Sequence, residues 1–235
     1  MIDTAALLQE VKSLGLTLDE TALSRFDRYA EMLVETNRQF NLTAIKEPAE
    51  IAVKHFADSL SLLAALEIPE GAALLDIGTG AGFPGVPLLI ARPDLKITMV
   101  DSTGKKLNFV REVLSDLNLS ATVIHGRAEE LGRGELRESF DVVTSRAVAA
   151  LNVLCEYCLP FVKVQGTFAA MKGAKGSEEL ALCRTAIPTL GGKYGATKAF
   201  SLSDGAERNI ILIQKISHTP PKYPRVSAQI AKKAL

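Results

Sequence analysis

The sequence predicts an α/β protein in which a doubly wound, mostly parallel, seven-stranded sheet follows a cap of helices. Three observations predict it. From residue 72 onward, short strand-like runs alternate with helix-period runs, which demands a parallel sheet covered on both faces. The stretch LLDIGTGAGFPG (74–85) reads as strand, glycine loop and helix start. Near the end, two strand-like runs at 198–202 and 209–215 are joined by the polar turn SDGAER, so a hairpin finishes the sheet.

The elements follow in order. Residues 3–14 read as a short helix. Residues 19–40 read as a longer one, because Leu23, Phe26, Ala30, Leu33, Asn37 and Phe40 recur at three- and four-residue steps. NLTAI (41–45) breaks that period and reads as a turn. Pro48 suits a helix start, and 51–66 continue the pattern. His55 and Lys54 lie on this helix and read as surface or packing residues. Strand 73–77 leads to helix 84–91, with Pro84 in its first turn. Strand 96–100 leads to helix 103–117, where Leu107, Val110, Leu114 and Leu117 share a face. Strand 121–125 precedes a short helix at 128–131, strand 140–145 a helix at 149–158, and strand 167–172 a helix at 177–186. The tail, with Pro220, Pro221 and Pro224, reads as extended, then irregular or weakly helical. The expected division is a helical cap (1–70), a sheet domain (71–216) and a basic tail (217–235), forming one structural unit.

Composition narrows the classes. The chain has 235 residues, 47% of them hydrophobic, enough for a sizeable core. No run approaches the ~20 apolar residues of a membrane helix. MIDTAALLQE lacks the pattern of a secretory leader, so the expectation is a cytoplasmic protein, taken as a monomer. Cys155, Cys158 and Cys183 lack the further ligands of a structural zinc and read as buried thiols, with no metal expected. Net charge is zero, but residues 1–140 carry 14 basic and 21 acidic side chains and residues 141–235 carry 13 and 6. A local cationic surface able to contact phosphates, or a solvated tail, both fit that asymmetry.

The glycine loop marks the candidate site. Glycines permit positive φ and close ligand approach, while free N–H groups and the helix dipole suit an electron-rich ligand. Asp101 ends the next strand about twenty residues on, where a carboxylate can accept from ribose hydroxyls. GAGFPG (80–85) fits a dinucleotide pattern but begins late. Asp76, Gly78, Gly80 and Gly82 instead look like the first motif of S-adenosylmethionine-dependent methyltransferases, whose Rossmann-like sheet ends in such a hairpin. Arg146, at the end of the fourth strand, can engage a cofactor carboxylate, a phosphate, a guanine edge or a neighbouring acid. Ala128 and Glu129 sit where adenine contacts usually fall. Lys172, Lys175, Lys222 and Arg225 are candidates for RNA phosphates. The loop typical of exocyclic-amine methylation is replaced by TSRAV (144–148), and Cys158 is badly placed as a nucleophile. An acceptor with a ready lone pair, such as guanine N7, needs no base. No catalytic acid or base stands out, and Arg146 is the candidate for substrate positioning.

The chain resembles the bacterial small-subunit ribosomal RNA guanine-N7 methyltransferase G family, also called glucose-inhibited division protein B. NLTAI (41–45), HFADSL (55–60), LLDIGTGAGFPGVPL (74–88), VDSTGKK (100–106), SRAV (145–148), MKG (171–173) and KYPR (222–225) carry the resemblance, in the family's order. It implies N7 methylation of one guanosine in 16S rRNA, on free RNA or on the small subunit. It also implies S-adenosylmethionine contacts at Gly78, Phe83, Asp101, Ser102, Thr103, Ala128, Glu129 and Arg146, beside Gly80 of the loop. Ala228, Ile230 and Ala234 replace the family's glycine and two prolines, leaving the tail's conformation open. Two alternatives are a ribosome-associated RNA-binding protein without catalysis and an NAD-dependent oxidoreductase.

Overall fold

Alternating side chains sort this chain onto the two faces of one sheet. The computed structural model describes residues 2–235. Its strands are β1 (Ala73–Ile77), β2 (Lys96–Asp101), β3 (Thr122–His125), β4 (Phe140–Arg146), β5 (Val162–Gly173), β6 (Gly192–Ser201) and β7 (Glu207–Lys215). They lie in the order β3-β2-β1-β4-β5-β7-β6. Pairings from β3 through β5 are parallel, and β7 runs antiparallel to both β5 and β6. Strand order reverses between β1 and β4, so a crevice opens at their carboxyl ends.

Leu74, Met99, Val142, Ala169 and Ile210 enter one core. Their neighbours Leu75, Val100, Val143, Ala170 and Ile211 enter the other. The first face carries α1 (Thr4–Ser13), α2 (Glu20–Asn37), a helical run from Pro48 to Ala65, α5 (Gly85–Ala91) and α6 (Gly104–Asp116). That run comprises α3 (Pro48–Glu50), a π-helical stretch (Ile51–Ala57) and α4 (Asp58–Ala65). The second face carries α7 (Ala128–Leu131), α8 (Leu151–Cys158), α9 (Gly176–Ala181) and α10 (Ala186–Thr189). The tail ends in α11 (Ser227–Lys232).

The alternation is as expected, and the differences lie at element ends. The helix expected over 177–186 ends early at Ala181, and α10 begins at Ala186. β6 begins at Gly192 rather than 198 and β5 at Val162 rather than 167, because pairing with β7 and β4 extends them beyond their apolar runs. The NLTAI turn is present. Asn37 holds it, accepting from the N–H groups of Leu42 and Thr43 and donating to the Thr43 carbonyl.

The N-terminal helices grip the glycine loop. Tyr29, fully buried on α2, donates its hydroxyl to the Ala81 carbonyl at 2.6 Å. Burial holds its phenol well above the usual pKa, so it stays a donor. Its ring stacks on Phe83 of the loop at 5.4 Å between centroids and on Phe56 of the π-helical stretch at 5.4 Å. Gly82 makes this approach possible: a Cβ there would lie 2.7 Å from the Tyr29 hydroxyl, and its φ is +106°. Tyr29→Phe leaves a buried carbonyl without its donor. The expected loss of unfolding free energy is about 1–3 kcal/mol. Denaturant unfolding with an unchanged slope would measure it.

Candidate active site

Two clefts sit side by side at the carboxyl ends of the central strands. The first, about 290 Å³, is lined by the glycine loop, the ends of β2 and β3, α7, and residues of α8 and α11. The second, about 390 Å³, lies between the π-helical stretch and the ends of β4, β5 and β7. Ala147 lines both. It follows Arg146 with φ at +56°, a region that side chains disfavour. That bend turns the chain out of β4 and brings Val148 over Gly78, where a Cβ would lie 2.2 Å from Val148 Cγ2.

In the first cleft, Gly78 and Gly80 have φ of +73° and +60°. Five of the loop's amides are engaged, contrary to the sequence expectation of free N–H groups. Gly78 and Thr79 donate to the Val100 carbonyl, and Gly82 and Phe83 to the Thr79 carbonyl. Gly80 donates to Asp101 Oδ2 at 2.9 Å. Asp76 Oδ2 accepts from Gly85 N, the first residue of α5, at 2.9 Å. The helix start is therefore already occupied by a carboxylate, and the loop is no anion cradle. Burial lifts the Asp76 carboxyl to about 6, against the pull of Thr79, the Gly85 N–H and the Arg146 charge. Asp76 Oδ1 and Thr79 Oγ1 are both buried, and the Thr79 hydroxyl is the side-chain donor within reach of the carboxyl.

Among the expected cofactor residues, Gly78, Gly80, Asp101, Ser102, Ala128 and Glu129 line this first cleft together. Phe83 and Thr103 do not. The Phe83 ring is 6% exposed, stacked between Tyr29 and His55. Thr103 precedes α6 and donates its N–H to Asp101 Oδ1 at 2.7 Å, so it orients the carboxylate.

Arg146 belongs to the second cleft. Its Nη1 donates to Asp58 Oδ2 at 2.6 Å and to the Lys54 carbonyl at 3.1 Å. Its guanidinium lies 5.1 Å from the Phe83 ring centroid. Arg208 Nε donates to the other Asp58 oxygen at 2.8 Å, and Arg208 Nη2 to Asp204 at 3.0 Å. Asp58 and Arg208 were not expected from the sequence. Asp58 had a signal, a lone acid inside the apolar run IAVKHFADSLSLL; Arg208 reads as an ordinary turn charge. Of the two readings for His55, surface or packing, the structure shows packing, in the wall of the second cleft. It is 8% exposed and stacked on Phe83 at 4.4 Å. Arg146 Nη2 donates to His55 Nδ1 at 3.4 Å, so the Nε2–H faces Thr43 Oγ1 at 2.8 Å.

Two expected RNA cations are engaged inside the fold. Lys172 donates to the Ala149 carbonyl and pairs with Glu179, both at 2.8 Å, with its side chain 10% exposed. Arg225 grips Glu156 through Nε and Nη2. Sequence shows their charge but not the acids folded against them. Lys175 and Lys222 are exposed, the latter with Nζ 5.2 Å from the Tyr223 ring centroid. The three thiols are buried and free, and no cluster of three or more metal-ligating side chains occurs among the described residues. No helix there is long and apolar enough to cross a membrane.

Burial, then the Arg146 charge, lower the His55 pKa to about 3. The unfolded chain, with its histidine near 6.5, therefore binds the proton first as pH falls. Stability from this group is complete above about pH 6.5 and is lost down to about pH 3, at up to about 1.4 kcal/mol per pH unit. Asp76, raised to about 6, slopes the opposite way between its unfolded pKa and 6. The variant must therefore be compared with the wild type at each pH. The stability deficit of His55→Gln should narrow as pH falls below 6.5, measured by urea unfolding.

The model of the family described as rRNA small subunit methyltransferase G matches residues 22–211. A Ribosomal RNA small subunit methyltransferase G from Exiguobacterium sp. is 45% identical over 237 residues, covering 100% of both chains. One from Lachnoclostridium phytofermentans is 46% identical over 238 residues, covering 100% of this chain and 98% of its own. Among solved structures, TrmN from Thermus thermophilus aligns with a TM-score of 0.54 at 18% identity, over 67% of this chain and 48% of that one. TYW2 from M. jannaschii in complex with AdoMet aligns at 0.51 and 15%, over 65% and 73%. These structures share the fold alone. The match to the family model and to full-length relatives goes further: this chain belongs to the rRNA small subunit methyltransferase G family.

Proposed function

We propose that this enzyme transfers a methyl group from S-adenosylmethionine to N7 of a guanosine in the 16S rRNA of the small ribosomal subunit. The first cleft suits the cofactor. A Cβ on Gly80 would meet nothing nearer than the Gly78 carbonyl at 4.0 Å, so the loop leaves open space there. Asp101 stands at the rim with its carboxylate fixed by two amides. The carboxyls of Asp76 and Asp101, which accept from the Gly85 and Gly80 amides, favour a cationic ligand over an anionic one. The spent loop amides count against a pyrophosphate, and so against the NAD reading. Bound S-adenosylmethionine supplies an electrophilic methyl on a sulfonium.

The observation that carries the N7 assignment is that the second cleft offers no free base. Both Asp58 oxygens accept from arginines, and both His55 nitrogens are used. Glu179 accepts from the Leu151 N–H and Lys172. An acceptor that must lose a proton has nowhere to send it, whereas guanine N7 attacks with a lone pair already available. The hydrogen bonds of Arg208 use Nε and Nη2, leaving Nη1 to a guanine acceptor atom. What these residues contribute is orientation of the base, with Ala147 at the junction of the two clefts. Lys175 and Lys222 are the exposed cations for RNA phosphate.

Incubation with labelled S-adenosylmethionine should place the methyl on 16S rRNA or on small subunits, at N7 of one guanosine. Label on an exocyclic amine, or none, would overturn the assignment. Gly80→Val forces a branched side chain onto a positive φ and into the cleft. S-Adenosylmethionine affinity should drop at least tenfold by calorimetry, which corresponds to about 1.4 kcal/mol, with the fold retained by circular dichroism.

A further inference from the structure

The C-terminal segment is bound to the core in a way that its charge alone does not explain. It forms no strand, yet side chains satisfy its carbonyls one after another. Arg137 Nη2 donates to the Thr219 carbonyl at 2.6 Å and Arg137 Nη1 to the Tyr223 carbonyl at 2.8 Å. Arg133 Nε donates to the Pro224 carbonyl at 2.8 Å. Glu138 accepts from the Thr219 N–H at 2.8 Å, and Tyr223 is buried in the second core. All three donors and acceptors on the core side lie just beyond α7, whose Ala128 and Glu129 line the cofactor cleft.

The strongest anchor is Glu156 on α8. Its side chain is fully buried, and among the described residues its carboxylate accepts from Arg225 alone: the backbone N–H at 2.7 Å, Nε at 2.8 Å and Nη2 at 2.6 Å. A buried carboxylate costs several kcal/mol unless it is paired and hydrogen-bonded, so Glu156 tolerates its position only while Arg225 is seated. The next residue on α8, Tyr157, lines the cofactor cleft, and so does Ser227, two residues beyond Arg225. One ion pair thus holds together two segments that each carry a cleft residue.

We propose that residues 217–232 form a strap that completes the nucleoside side of the S-adenosylmethionine cleft, with Glu156 and Arg225 as positioning residues and Ser227 as a wall. The inference rests on the cofactor reading of that cleft. Seating of the strap and binding of the cofactor are then coupled, and linkage makes the coupling reciprocal. The segment serves the cofactor before it serves RNA.

The test places a reporter on the wall. Ser227→Cys introduces one accessible thiol into a chain whose three native thiols are buried. Saturating S-adenosylmethionine, with no RNA present, should slow its alkylation by maleimide roughly tenfold. In parallel, Arg225→Ala should weaken S-adenosylmethionine by calorimetry roughly tenfold, with Arg225→Lys in between. Should Arg225→Ala fail to fold, the alkylation measurement decides alone. An alkylation rate indifferent to the cofactor overturns the strap. If Gly80→Val keeps full cofactor affinity, the reading of the cleft itself falls instead. That outcome is separate, because it needs no change in the tail.

Discussion

Arg146 places a full positive charge in the wall of the second cleft, with its side chain 13% exposed. A charge at that depth must be paired and hydrogen-bonded. Asp58 supplies the countercharge, and the Lys54 carbonyl, in the π-helical stretch, supplies a further acceptor. The rest of the site follows from meeting that requirement. The second Asp58 oxygen is free to hold Arg208, which ties β7 to the same point. The neighbouring His55 is forced to present a lone pair to the guanidinium, which sets its tautomer. Phe83 lies under the guanidinium, and through Phe83 the constraint reaches Tyr29 and the glycine loop. Helices that precede the sheet in sequence therefore determine the shape of both clefts.

The same bookkeeping of donors and acceptors separates this loop from one that binds pyrophosphate. Glycine spacing is similar in the two, but the destination of the amides differs. Here they close onto Val100, Thr79, Asp101 and Asp76, so two of the four acceptor residues offer carboxylates. A ligand carrying a sulfonium is suited to such surroundings; a diphosphate is not.

The charge asymmetry of the chain has its main meaning inside the fold. The acidic first part and the basic last part are folded against each other. Arg146 and Arg208 meet Asp58, while Lys215 and His218 meet Glu138. Lys215 is completely buried, and desolvation lowers its pKa, yet Glu138 and the carbonyls of Leu159 and Val162 satisfy it. Of the four cations singled out in the sequence, Lys172 and Arg225 are consumed as partners, while Lys175 and Lys222 keep their exposure.

Local physics was written in the sequence. Alternating periods of two and 3.6 residues specify strands and helices, because each must bury one face. Glycines at Gly78, Gly80 and Gly82 mark a loop that needs positive φ, and Asp101 sits at the end of the strand beside it. The order of motifs along the chain indicates the family. Long-range pairing was not legible. Nothing local distinguishes Lys172 and Arg225, which are held by Glu179 and Glu156, from Lys175 and Lys222, which face solvent. Asp58, Arg146 and Arg208 are separated by up to 150 residues and become one network only when β4, β7 and the π-helical stretch converge. Sequence thus determined which backbone could form and which cofactor class its loop suits. Only the tertiary structure decided which charges are consumed as partners and which remain for a substrate, because burial and pairing are properties of neighbours in space.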